Sequence, residues 1–185
     1  MDTKNSTGAR APRVSIIIPA HNESVLIERA VRAARAQEYP NFEVIVVDNA
    51  STDDTGARAE HAAARVVKEP RKGILFAKEA GRHAATGEIF AGLDADCIPP
   101  PDWLKKGIAC FTSPDIVVVT GGFIYNDISP LMRALIKWGF LVVQTSLNKY
   151  MQWRGRGAYM IGGNCFIRMS ALERIGGFED RKSVV

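Results

Sequence analysis

The sequence predicts an α/β domain in which a parallel sheet is covered by helices on both faces. Short β-branched runs alternate with segments of helical periodicity along most of the chain, the pattern of strand–crossover–strand units. These runs are apolar without alternation, as strands buried on both faces are. Two of them end on carboxylates, Asp48 and Asp94. Open α/β sheets bind ligands at the carboxyl ends of their strands, so the acids mark the expected site.

The first strand is Val14-Ser15-Ile16-Ile17-Ile18-Pro19, closed by proline. Ala20 to Ser24 form a loop, and Ser24 or Asn22 can cap the helix that follows. Leu26, Ile27, Ala30, Val31 and Ala34 recur at helical spacing. That helix is expected to end near Tyr39-Pro40, because the residue before proline disfavours helical backbone. The second strand runs from Phe42 to Asp48. Asn49 to Thr55 is a turn and cap for a helix carrying Ala57 to Ala64, with Asp53 and Asp54 as capping acids rather than ligands. A short third strand covers Arg65 to Lys68. The basic loop Arg71-Lys72-Gly73 leads into a helix from Ile74 to Ala85, which Gly87 would stop.

The next segment is the centre of the chain. Ile89, Phe90, Ala91 and Leu93 form a buried strand that opens into Asp94-Ala95-Asp96. In extended backbone, alternate side chains share a side, so both carboxylates can face one point. Two oxygen donors at a strand end suit a hard divalent cation, Mg2+ or Mn2+, with coordination positions left for phosphate oxygens. The same tripeptide is also an ordinary polar turn, since Asp favours turns. Pro99, Pro100 and Pro101 end the strand.

A helix is expected from Trp103 through Phe111, then a strand from Asp115 to Gly122. Residues 131–151 are long, apolar and aromatic, but interrupted by Arg133, Lys137, Gln144 and Lys149. The interruptions argue against a spanning helix. The mixture is read first as an ordinary buried helix, with an amphipathic helix at a membrane interface as the alternative. Trp153 to Gly157 is a basic loop, Gly162 to Arg168 is extended, and Ser170 to Ile175 is a short helix ended by Gly176-Gly177-Phe178.

Composition bounds the function classes. The 185 residues suit one domain with a sizeable core, and a net charge of +4 suits an anionic ligand or membrane surface. No zinc spacing, basic helix or aromatic-basic strand motif supports a nucleic acid partner. No dinucleotide or Walker-type glycine loop follows the first strand. Cys97, Cys110 and Cys165 show no paired spacing, which fits a reducing, cytoplasmic setting. Residues 1–12 are polar without a signal-peptide core and are expected to be a disordered tail.

Taken together, these segments resemble the inverting, nucleotide-sugar-dependent glycosyltransferases of family 2. The matching parts are Val14 to Glu23, Val46 to Asp53, Gly87-Glu88, Leu93 to Asp96 with Pro99, and Gly176-Gly177-Phe178, in the family's order. The resemblance implies a GT-A fold over residues 13–185, Rossmann-like with a mixed, mainly parallel sheet. It implies a UDP- or GDP-type sugar donor, a divalent cation (Mn2+ or Mg2+) and a hydroxyl acceptor, lipid-linked or part of an envelope polysaccharide. Pro19 and Glu23 would line the nucleoside pocket, with His21 as a neighbour, and Asp48 would bind the base. Asp94 would approach ribose and metal, and Asp96 would ligate the metal. For Asp48, helix capping is the alternative.

The family's Ala-Arg-Asn-x-Gly is here Ala77-Lys78-Glu79-Ala80-Gly81. Lys78 keeps a cation for the diphosphate, or is a solvated helix residue, and Glu79 departs from the pattern. The family's base is an Asp in a Glu-Asp pair well after Gly-Gly-Phe. Glu179-Asp180 follow at once, closer than the family places that pair and where acids commonly trail the motif, so the leading reading is a chain shortened at its C-terminus that lacks the part bearing the base. Asp180 is the alternative candidate base in this chain. Rival functions are a nucleotide-sugar-binding module without turnover and a nucleotidyltransferase. The expected setting is cytoplasmic, with contact to the inner membrane face through residues 131–151.

Overall fold

The computed structural model describes residues 10–123, 129–155 and 162–178, with the side chains of Lys137 and Gln152 excepted. Its strands are β1 (Val14–Ala20), β2 (Phe42–Asn49), β3 (Arg65–Glu69), β4 (Ile89–Leu93), β5 (Val118–Thr120) and β6 (Asn164–Arg168). They form one sheet in the order β3-β2-β1-β4-β6-β5. The first four are mutually parallel; β6 runs antiparallel between β4 and β5. The mixed, mainly parallel sheet expected from the sequence is therefore present.

The helices are α1 (Ile27–Arg35), α2 (Thr55–His61), α3 (Ile74–Ala84), α4 (Trp103–Ala109), α5 (Pro130–Trp153) and α6 (Met169–Arg174). Alternating strand residues sort them onto two faces. Ile16, Ile18, Val44, Val46, Ala91 and Phe166 pack with α1, α2 and α4. Ile17, Ile45, Val47, Phe90 and Ile167 pack with α3 and α6. Helix α1 buries Ile27, Ala30, Val31 and Ala34, the stripe its periodicity predicted. Gly81 lets α3 sit directly on β1, because a Cβ there would overlap Ile17.

Several boundaries differ from the sequence reading. Helix α1 starts after Leu26 with no side-chain cap. The Asn22 side chain is taken up elsewhere, its Oδ1 accepting from Thr52 N (2.8 Å), and the Ser24 backbone N–H donates to Asp53 (3.3 Å). Helix α2 stops at His61, and Ala63 turns the chain at φ 65°. Helix α3 ends at Ala84, with Ala85 extended, so Gly87 is not its stop. Gly87 instead admits β1, since a Cβ there would come within 2.6 Å of Ser15 N. Strand β5 keeps only Val118 to Thr120 of the residues expected from 115 to 122.

Helix α5 forms where residues 131–151 predicted a helix, and it is not buried. Leu131, Leu135, Trp138, Leu141, Val142, Val143 and Trp153 are all exposed. Among the described residues, no helix is long and apolar enough to cross a membrane. Of the expected tail, residues 1–9 lie outside the described residues. The carbonyls of Ala11 and Pro12 accept hydrogen bonds from Asn41 and Tyr39.

Candidate functional site

Strand order reverses at β1, which has β2 on one side and β4 on the other. Crossovers diverge at such a point and leave a crevice beyond the strand ends. A cleft of about 400 Å³ lies there. Pro19, Ala20, His21 and Glu23 line it from the end of β1, and Asn49 from the end of β2. Lys72, Gly73, Ile74 and Ala77 line it from the start of α3, and Asp94, Ala95 and Asp96 from the end of β4.

The acids beyond β4 converge, but through a turn rather than the extended backbone expected: the strand ends at Leu93, and Cys97 N donates to the Asp94 carbonyl (3.0 Å). Ligand atoms of Asp94, Asp96 and Cys97 all lie within 4.8 Å of one another. Asp94 is half-buried and Asp96 exposed. Burial pushes the Asp94 carboxyl up, Lys78 opposes the rise, and Asp96 adds to it. Two carboxylate oxygens beside an open cleft are the donor chemistry of Mg2+ or Mn2+. The two carboxylates therefore have the donor chemistry to hold a hard divalent cation, while the Cys97 thiol beside them does not.

Other predicted residues fall into two groups. Pro19 and Glu23 line the cleft, and Glu23 N is held by Thr55 Oγ1 (2.8 Å). Asp48 and Lys78 are outside its lining. Asp48 Oδ1 accepts from Ser51 N (3.2 Å), and its carboxylate lies where a Gly56 Cβ would come within 2.7 Å. Asp48 thus closes the turn after β2 and does not cap α2, which begins at Thr55 with Asp54 before it. Lys78 Nζ donates to the Gly162 carbonyl (3.2 Å). Asp53 accepts from Thr55 N (3.0 Å), as a capping acid does. Asp180 lies outside the described residues.

Glu79 has a partner of its own. It accepts from Phe178 N (2.9 Å), and the Arg82 guanidinium beside it holds its carboxyl below the usual carboxylate range. The residue that departs from the family pattern thus ties α3 to the Gly176-Gly177-Phe178 turn.

Asn49 is a contributor that the sequence does not single out. It is buried; its Nδ2 donates to the Glu69 and Arg71 carbonyls and its Oδ1 accepts from Gly73 N. It thereby shapes the loop that brings Lys72 to the cleft. Its only local signal is its position directly after an acid-ended strand. His21, a pocket neighbour in the sequence reading, gains a definite contact. Its Nδ1 donates to the Asn49 carbonyl (2.8 Å), joining the ends of β1 and β2.

Comparison with known proteins agrees with this geometry. A family model described as glycosyl transferase family 2 matches residues 15–176. The chain is similar to glycosyltransferase AglE of Haloferax volcanii, 28% identical over 177 residues, covering 90% of this chain and 56% of that protein. It is similar to dolichol-phosphate mannosyltransferase of Pyrococcus furiosus, 32% identical over 142 residues, covering 71% and 40%. Among solved structures, it is similar to the mannosyltransferase PcManGT from Pyrobaculum calidifontis in complex with GDP-Man and Mn2+. The TM-score is 0.72 at 28% identity, over 90% of this chain and 47% of that one. Glucosyl-3-phosphoglycerate synthase of M. tuberculosis gives a TM-score of 0.63 at 25% identity, over 87% and 58%. The chain spans about half the length of the curated relatives it matches.

Proposed function

The chain belongs to glycosyl transferase family 2 and has the GT-A fold, and from that premise we propose that its cleft binds a nucleoside-diphosphate sugar together with a divalent cation. The whole protein would pass the sugar to a hydroxyl acceptor with inversion. The observation that carries this reading is the convergence of Asp94 and Asp96 beside the cleft at the end of β4. The neighbour solved with GDP-Man and Mn2+ supports it.

In this reading Pro19, His21 and Glu23 receive the nucleoside, and Asp48 offers a carboxylate to the base. Asp94 and Asp96 hold the cation, Mn2+ or Mg2+. Lys72 and Lys78 add positive charge for the diphosphate. When bound, the cation neutralises charge on the departing diphosphate. A carboxylate takes the acceptor hydroxyl's proton as the oxygen attacks the anomeric carbon, and Asp180 is the candidate for that step. The unpaired cysteines fit a cytoplasmic setting.

Calorimetric titration of UDP, GDP and ADP, with Mn2+ and with EDTA, tests the donor site. We expect one diphosphate to bind, and only with metal. Absence of metal-dependent binding by all of them would overturn the reading.

Contact with a membrane surface, and with it a lipid-linked acceptor, belongs to the same proposal. Residues 130–155 carry Arg133, Lys137, Lys149 and Arg154 and no acid. Trp138, Leu141 and Val142 are exposed on α5. Apolar and aromatic groups with basic neighbours suit an anionic interface. The protein should co-sediment with phosphatidylglycerol vesicles at low salt, and Trp138→Glu should weaken this. A protein that ignores such vesicles has no membrane contact of this kind.

A further inference from the structure

The segment that leads into β6 touches both charged groups beside β4. Gly162 and Gly163 precede Asn164, which pairs with Leu93 at the end of β4. The Gly162 carbonyl accepts from Lys78 Nζ (3.2 Å), and a Cβ at Gly162 would come within 2.5 Å of that ammonium. A Cβ at Gly163 would overlap the Asp94 carboxylate. Both charged side chains therefore rest against backbone that only glycine leaves open.

Asn164 fixes that backbone. Its Oδ1 accepts from Trp103 Nε1 (2.9 Å) and its Nδ2 donates to the Gly122 carbonyl (2.9 Å). Its own carbonyl accepts from Gly121 N (3.0 Å) and Thr120 Oγ1 (3.1 Å). A carboxamide presents an acceptor and a donor in fixed geometry, so one side chain braces α4 and the chain after β5 together. Trp103 is itself held, buried and 4.8 Å from the Phe166 ring.

We propose that Gly162, Gly163 and Asn164 form a positioning element that sets where the Asp94 carboxylate and the Lys78 ammonium point. The inference rests on the donor-site reading above. Asn164 is a positioning residue: it acts on the cation through Gly163 and Asp94 and does not touch the ligand.

The test measures Mn2+ affinity, from the electron paramagnetic resonance signal of free Mn2+, for the wild-type chain and for Asn164→Ala, Gly163→Ala and Trp103→Phe. Circular dichroism and thermal melting identify the variants that are folded at the assay temperature. Removing a group that orients a metal ligand typically weakens metal binding about 10–100-fold, and a loss of about tenfold or more is expected for folded Asn164→Ala and Gly163→Ala. Trp103→Phe keeps an aromatic six-membered ring against Phe166 but loses the pyrrole ring with its N–H donor, so it should weaken binding less than Asn164→Ala. Folded variants with wild-type Mn2+ affinity and only lower melting temperatures would overturn the inference and leave the donor site intact. Absence of Mn2+ binding by the wild type both alone and with UDP, GDP or ADP present would overturn the donor site and the inference together.

Discussion

Asp96→Ala is expected to abolish Mn2+-dependent binding of the nucleoside diphosphate. Asp96 supplies one of two carboxylates whose ligand atoms lie together at the end of β4. Loss of a group that merely supports a metal ligand costs about 10–100-fold in metal affinity, so loss of a direct oxygen donor should cost at least about a hundredfold. The diphosphate would then meet the Asp94 carboxylate without a cation between them, and like charges repel. Asp96 is exposed, and surface substitutions usually change stability by less than about 0.5 kcal/mol. Calorimetry should therefore show lost binding in a protein that melts like the wild type. Undiminished metal-dependent binding in Asp96→Ala would remove Asp96 from the metal site.

Phe90→Ala should produce the largest loss of stability. Phe90 is fully buried on β4, among Ile17, Val47 and Ile167. Its ring lies 5.1 Å from that of Phe178. Truncating a buried Phe leaves a cavity and costs about 3–5 kcal/mol. A domain holds only about 5–15 kcal/mol in total. Urea unfolding followed by circular dichroism should show the midpoint falling sharply. A loss below about 1 kcal/mol would mean that this face of the sheet repacks around the gap, against the usual cost of a core cavity.

Much of this architecture is legible in the sequence because local pattern and burial agree. The apolar runs Val14–Pro19 and Val44–Val47 form buried strands. The spacing of Ile27, Ala30, Val31 and Ala34 gives the buried face of α1. The nearness of Asp94 and Asp96 is legible from their spacing, although a turn after β4, closed by Cys97 N on the Asp94 carbonyl, brings them together rather than extended backbone. The start of α1 is not legible in this way, because the Asn22 side chain bonds to Thr52, thirty positions away. Propensity sees a polar residue before a helix, while the fold gives it a different partner.

Sequence by itself determined the strand–helix alternation, the acids at the strand ends and the family. Those are properties of short segments, where side-chain period and turn chemistry act locally. Tertiary structure alone decided that β6 enters antiparallel between β4 and β5. It alone tied Glu79 to Phe178 and laid Gly163 against Asp94. Each of these contacts joins residues far apart in the chain, and each depends on how the sheet and its helices pack. Sheet order follows from packing the whole core, so no single segment could specify it.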